Sequence, residues 1–373
     1  MVDKNNEYKM NETIDELMKI KPFSLGFEEK KIHFIKCISE SIKFHYENCP
    51  DYQNYCKKKN FNPDNIVDIS NIPFLPVDIF KKITLLSVPK SEIIKIIKSS
   101  GTTTNMPSTI HLDRITANRQ MISLNSIITD FIGKEKLNFI IIDNEKTLEA
   151  NNQNLSSRGT AIRGMLIFAK KFTCILNENL KLDSKIISQL ENTDNSSTYI
   201  FGFTWLIHKI LSENKNNKIF KNLFSKISKS TVLHIGGWKK LSDLSIDKQQ
   251  FNKECSEFFN TSSEKIIDLY GMTEQLGIVY PDCKYGNKHV PIFSEILIRD
   301  IHSLEVQPFG KSGFIQVISP IPHSYPGVSL LTDDIGEILG IDDCPCGRKG
   351  TYFMFKKRSE MADPKGCGDT LDI

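Results

Sequence analysis

The segment Ser99-Ser100-Gly101-Thr102-Thr103-Thr104-Asn105-Met106-Pro107-Ser108 gathers hydroxyls around one glycine. Small residues let backbone N–H groups converge on an anion. The hydroxyls of Ser99, Ser100, Thr102, Thr103 and Thr104 add further donors, so the segment suits a polyphosphate with its metal ion. No Gly-Lys-Ser/Thr follows, which separates it from a Walker loop. Taken alone, such a run reads equally as a polar surface turn. A second cluster, Tyr270-Gly271-Met272-Thr273-Glu274, follows the apolar run at 266–269. Tyr270 offers a flat face for a base, Thr273 a hydroxyl for phosphate, and Glu274 an oxygen ligand for Mg²⁺. Gly236-Gly237 ends another apolar run and allows backbone to approach a planar ring closely. Each piece by itself is more simply a tight turn after a core strand. Cys283, His289, Cys344 and Cys346 are the one Cys/His group with ligand-like grouping, and four such ligands satisfy tetrahedral Zn²⁺. Their spacing fits no zinc-finger pattern. Reduced thiols in tight turns are the competing reading.

These residues need elements to position them. Apolar residues at helical spacing predict a helix over 29–48, and the N-terminal part to about residue 60 is read as helical. Glu92–Lys98 (EIIKIIK) fits strand or helix, and residues 109–112 read as extended. Asp113 is placed to cap a helix over 115–130. Further helices are expected at 203–213 and 247–259. Strands are expected at 139–142, 231–235, 266–269, 294–299, 314–319 and 328–332. Helices interleaved with strands give an α/β class. Lys plus Arg number 48 and Asp plus Glu 45, too balanced to predict nucleic-acid or membrane binding. No apolar run approaches membrane-spanning length, the first twenty residues lack the apolar block expected of a secretory signal, and the nine cysteines are mostly scattered. A cytoplasmic, reduced protein is expected.

The order of these motifs is more informative than any one of them. The hydroxyl-rich loop, the Gly-Gly strand end, Tyr-Gly-x-Thr-Glu, Thr332-Asp333-Asp334-Ile335-Gly336, Arg358 and Gly366 follow one another as in the adenylate-forming enzymes. Within that superfamily the chain most resembles the acyl-protein synthetases of bacterial bioluminescence, the fatty-acid-activating subunits of the fatty acid reductase complex. The pointers are HIGGWKKL at 234–241, SSRGTAIRG at 156–164, KHVPIFSEILIRD at 288–300 and the ending KGCGDTLDI. The resemblance implies an adenylate-forming, acyl-CoA ligase-like core over 1–355, with β-sheets flanked by helices. It also implies a hinge-like tail over 356–373 in place of a C-terminal lid domain.

Carried over by motif, the resemblance implies that Ser99 to Thr104 hold the pyrophosphate part of ATP. Gly236 and Gly237 would flank the adenine and Tyr270, followed by Gly271, would stack on it. Thr273 would contact the α-phosphate and Glu274 would bind Mg²⁺. Asp334, with Asp333 beside it, would take the ribose hydroxyls, and Arg358 would be the hinge arginine that reaches the nucleotide. The relatives that join acids to coenzyme A continue into a mobile domain carrying a catalytic lysine, whereas this sequence ends at Ile373. Lys239 or Lys240, beside Gly237, is a candidate replacement. Cys367, between Gly366 and Gly368, is the expected acyl acceptor: a thiolate converts an acyl adenylate into a thioester, and flanking glycines let it swing. The implied partners are a fatty acid, an NADPH-dependent acyl reductase subunit and an acyltransferase subunit. Two competing readings are a carboxylate–CoA ligase whose lid is a separate polypeptide, and a zinc-stabilised interaction protein that binds nucleotide without turnover.

Overall fold

Consecutive apolar residues such as Phe139, Ile140, Ile141 and Ile142 are the signature of a strand buried on both faces, as in a parallel sheet covered by helices. The computed structural model describes residues 4–99, 107–149, 156–191, 197–227, 229–237 and 246–359. In it, the strands Ala169–Cys174, Leu137–Ile142, Ser197–Phe203, Lys229–Ile235 and Ile266–Tyr270 lie parallel in that spatial order, and Tyr280–Pro281 adds an antiparallel edge. Alternate side chains leave opposite faces. Ile140, Ile142, Ile200, Val232 and Ile266 pack with Ile207, Phe224 and Phe251. Those partners come from the helices Thr204–Asn214, Lys218–Ser225 and Lys248–Phe258. Phe139, Ile141, Tyr199, Leu233 and Leu269 face the other way, into a core shared with a second sheet.

That second sheet orders Lys288–His289, Thr351–Arg358, Ser329–Ile341, Gly313–Ile318 and Glu295–Arg299 as antiparallel neighbours. Leu75–Pro76 pairs parallel with Ser329–Ile341. Ile38, Tyr52, Leu75, Ile318 and Leu330 form a further core. It places the helices Phe27–Asn48 and Pro50–Lys58 over this sheet.

The expected helices are present as Arg114–Ile132, Thr204–Asn214 and Lys248–Phe258. The Asp113 cap is real: its Oδ1 accepts the Thr116 N–H at 2.8 Å. The ambiguous EIIKIIK run resolves by pairing, because Lys95–Lys98 forms an antiparallel hairpin with Thr109–Leu112. The strand expected at 328–332 runs much further, to Ile341, and carries Asp333 and Asp334 within it. Gly336 makes that continuation possible: a Cβ there would lie 2.7 Å from Ile315 on the neighbouring strand. The tail read from Lys356 begins inside the strand Thr351–Arg358. Residues 360–373 lie outside the described residues. Among the described residues no helix is long and apolar enough to cross a membrane.

Two histidines buried in this framework contribute to its acid stability. His45 lies 2.7 Å from the Ser87 hydroxyl and 3.1 Å from the Pro322 carbonyl. His234 contacts the Thr204 hydroxyl at 2.9 Å. Burial pushes them down to about 3 and about 4 respectively. Both folded values lie below the unfolded value of about 6.5, so the unfolded chain takes up protons first as pH falls. Their contribution is complete above pH ~6.5 and declines below it, by about 4 kcal/mol for His45 and about 3 kcal/mol for His234 once the folded values are reached. The urea midpoint should therefore fall progressively from pH 6.5 to 4.5. A midpoint that stays flat over that range would contradict the assignment.

Candidate active site

Ligands of open α/β sheets collect beyond the carboxyl ends of the parallel strands, and the motif residues gather on that edge here. After Ile235 the chain turns at Gly236, whose φ of +79° is a left-handed conformation. A Cβ at Gly236 would come within 3.1 Å of the Phe203 ring, whereas one at Gly237 would meet nothing within 4 Å among the described residues. Ile235 pairs with Leu269, so Gly236 and Tyr270 end adjacent strands side by side. On the same edge, the buried Asp143 carboxylate takes an ion pair from Arg158 at 3.0 Å and a hydrogen bond from the Thr147 hydroxyl at 2.8 Å.

Tyr270 joins the two sheets. Its hydroxyl donates to Asp334 Oδ2 at 2.8 Å, and one face of its ring stacks on Phe355, with centroids 5.6 Å apart. Asp334 stands opposite Arg358 in the antiparallel register, and Arg358 Nε is 3.7 Å from its Oδ1. Burial pushes the Asp334 carboxyl up, against the Arg358 charge and the Tyr270 hydroxyl. A carboxylate so placed can accept from a vicinal diol, and the Arg358 side chain, 53% exposed, can turn to an anion. Asp333 is half-buried on the opposite face of the strand, and its carbonyl accepts the Ser359 N–H at 2.7 Å.

Glu274 is the second anchor. It is buried, and burial raises its pKa against the Ser108 hydroxyl bond and the charges of Lys81 and Arg358. Ser108 closes the base of the hydroxyl-rich loop. The Ser99 N–H donates to the Ser108 carbonyl at 2.9 Å, and the Ser108 N–H donates to Ser99 Oγ at 2.8 Å. The hairpin that carries the loop is thus clamped directly to Glu274. Thr273 begins the same short 3₁₀ turn and is half-buried. That turn is fixed from behind, where Tyr325 donates to the Glu274 carbonyl at 2.8 Å and Gln275 donates to the Gly327 carbonyl at 2.9 Å. Ser100 to Thr104, Lys239, Lys240 and Cys367 lie outside the described residues.

Sequence reasoning missed the support beneath the hairpin. His323 Nδ1 meets Asp113 Oδ2 at 2.6 Å, both buried. The Thr116 hydroxyl accepts the N–H groups of His323 and Ser324 at 3.0 Å each, and the Ser324 hydroxyl donates to the His111 carbonyl. These bonds tie the segment before Tyr325 to the strand Thr109–Leu112. The partners are more than 200 residues apart in the chain, and only the helix-capping role of Asp113 leaves a local signal. As a separate cluster, the structure also brings together Cys283, His289, Cys344 and Cys346.

The whole chain, residues 1–373, matches the family described as acyl-protein synthetase, LuxE. The chain belongs to that family. This LuxE-family member is 26% identical to the long-chain-fatty-acid–luciferin-component ligase of Aliivibrio fischeri, over 97% of this chain and 96% of that one. It is 24% identical to the ligase of the same name from Vibrio harveyi, over 93% of this chain and 89% of that one. Among solved structures, it is similar to 2-hydroxyisobutyryl-CoA ligase in complex with 2-HIB-AMP in the postadenylation state. That match has a TM-score of 0.69 and 14% identity, over 91% of this chain and 69% of that one. An open conformation of the same ligase, with 2-HIB-AMP and CoA, gives a TM-score of 0.70 at 14% identity, over 92% of this chain and 78% of that one. The LuxE-family chain therefore has the α/β fold of adenylate-forming ligases that its motif order implied.

Proposed function

We propose that this chain is an ATP-dependent acyl-protein synthetase. It activates a long-chain fatty acid as acyl-AMP and transfers the acyl group to its own Cys367 as a thioester. The observation that carries the reading is the joining of Tyr270, Asp334 and Arg358 across two sheets, on the strand edge that also bears Gly236 and Glu274. In this reading the Gly236-Gly237 turn and Tyr270 receive the adenine, and Asp334 accepts the ribose hydroxyls. Arg358 and Thr273 meet the α-phosphate, and the loop Ser99 to Thr104 meets the departing pyrophosphate. Glu274 and the neighbouring hydroxyls are hard oxygen donors, the set that suits Mg²⁺. The buried Glu274 carboxylate has no cationic side chain bonded to it among the described residues, so a divalent ion there relieves its burial. Such an ion would offset negative charge on the phosphates.

The fatty-acid carboxylate attacks the α-phosphorus, the bond to the bridging oxygen breaks, and pyrophosphate leaves. The Cys367 thiolate then attacks the acyl carbon. A C–S bond forms, the acyl–phosphate C–O bond breaks, and AMP leaves with the electron pair. A tethered thiol has an effective-concentration advantage over a free one. The thioester would serve an NADPH-dependent acyl reductase subunit, within a complex that also holds an acyltransferase, for aldehyde production in bioluminescence. The relatives' names, which specify long-chain fatty acids and a luciferin component, support this acid class and this use.

Incubation of the purified chain with ATP, Mg²⁺ and a labelled long-chain fatty acid tests the reading. Label should stay on the protein and be released by neutral hydroxylamine. Label that appears only on added coenzyme A would instead establish a carboxylate–CoA ligase, and absence of fatty-acid-dependent pyrophosphate exchange would remove the enzymatic reading.

A further inference from the structure

Two tight turns face each other at the end of the second sheet. In the first, the Gly286 N–H donates to the Cys283 carbonyl at 2.7 Å and the Cys283 N–H to the Asn287 carbonyl at 2.8 Å. The second closes the hairpin between Ser329–Ile341 and Thr351–Arg358, where the Gly347 N–H donates to the Cys344 carbonyl at 3.0 Å. Gly286 and Gly347 have φ of +77° and +88°, which keeps both turns tight. His289 stands opposite Tyr352 in the sheet, and its ring reaches the same point.

One ligand atom from each of Cys283, His289, Cys344 and Cys346 lies within 4.8 Å of the others. Cys283 Sγ is 3.8 Å from Cys344 Sγ, and Cys346 Sγ is 3.2 Å from His289 Nε2. With Zn–S bonds of about 2.3 Å, two sulfurs on one tetrahedron stand about 3.8 Å apart, and a sulfur and a nitrogen about 3.5 Å. A disulfide would bring the sulfurs to about 2.05 Å. The sulfurs are also supplied with donors that suit thiolates. Cys283 Sγ takes the backbone N–H groups of Tyr285 and Asn287. Cys344 Sγ takes the Cys346 N–H and, at 3.4 Å, the Asn287 side-chain amide. The His289 ring packs on Phe23 and Tyr352. Cys283, His289 and Cys344 are buried, while Cys346 borders a surface depression of about 370 Å³ that gives an ion a way in.

The geometry points to a zinc site in which Cys283, His289, Cys344 and Cys346 supply all four ligands. Three sulfurs and an imidazole select zinc over the hard cations that suit phosphate sites. Four protein ligands leave no open position, so the role is structural and not catalytic. Binding releases the three thiol protons to solvent and involves no change of oxidation state. The ion would pin the neighbours of the nucleotide residues. Lys288, next to His289, holds Asp268 at 2.8 Å in the strand that ends at Tyr270. The Cys344–Cys346 turn joins the strands that carry Asp334 and Arg358.

Elemental analysis of the full chain, purified reduced and without chelators, tests this. One zinc per chain is expected. Cys344→Ser and Cys346→Ser should lose it, while Cys255→Ser, in a different core, should keep it. Cobalt exchanged into the unmutated protein should give thiolate-to-cobalt absorption and tetrahedral d–d bands, a readout independent of whether the variants fold. Zinc below a tenth of stoichiometry with a featureless cobalt spectrum would overturn the site. So would a Cys283–Cys344 disulfide in the reduced preparation, or stoichiometric iron in place of zinc.

Discussion

Cys367→Ser is expected to abolish covalent acylation while acyl-AMP formation continues. The residues assigned to adenylation lie between Ser99 and Arg358, and none of them depends on the sulfur of Cys367. Replacing sulfur by oxygen leaves a hydroxyl that is not ionised at neutral pH and has no base assigned to activate it. Thioester label on the protein should fall by ~10³-fold or more, and fatty-acid-dependent pyrophosphate exchange should stay within about twofold of the unsubstituted chain. The separation of the two half-reactions is the informative part. If hydroxylamine-labile label persisted at the original level, another residue would be the acceptor. If both half-reactions fell together, the cysteine would be supporting the adenylation site and not receiving its product.

Glu274→Gln should divide activity from stability in the opposite part of the site. The substitution keeps shape and leaves an amide that can still meet the Ser108 hydroxyl, but it removes the charge a divalent ion needs. Adenylation should fall by about 10²- to 10³-fold, equivalent to roughly 3–4 kcal/mol of barrier, and raising Mg²⁺ should not restore it. Burial raises the Glu274 pKa, so the ionised carboxylate is a cost to the folded protein at neutral pH. The neutral amide removes that cost, and the thermal midpoint should hold or rise. A variant with full adenylation and a lowered midpoint would make Glu274 a structural residue, holding the loop base through Ser108 and nothing more.

Both predictions rest on residues whose chemistry was legible in the sequence and whose company was not. Short-range patterns placed the strand ending at Tyr270, the turn at Gly236, the capped helix after Asp113 and the order of the nucleotide motifs, because period, caps and turn residues act over a few positions. The same reasoning left EIIKIIK open between helix and strand, since cross-strand pairing with Thr109–Leu112 decides it. It also stopped the strand that begins near residue 328 too early. Asp333-Asp334-Ile335-Gly336 lies past the expected strand end at 332, and the strand continues through it because Gly336 can pass beneath Ile315.

By itself the sequence determined the α/β class, the family and the supply of hydroxyls, carboxylates and thiols. It determined these through local periodicity and motif order, which do not depend on how distant segments meet. Only the tertiary structure decided that Tyr270 bonds Asp334, that Ser108 bonds Glu274, that His323 backs Asp113, and that two turns 61 residues apart bring four ligands within one coordination sphere. Such contacts follow from how two sheets stack and which strands become neighbours. That arrangement is fixed by burial of the shared core over the whole chain, so no short stretch of sequence records it.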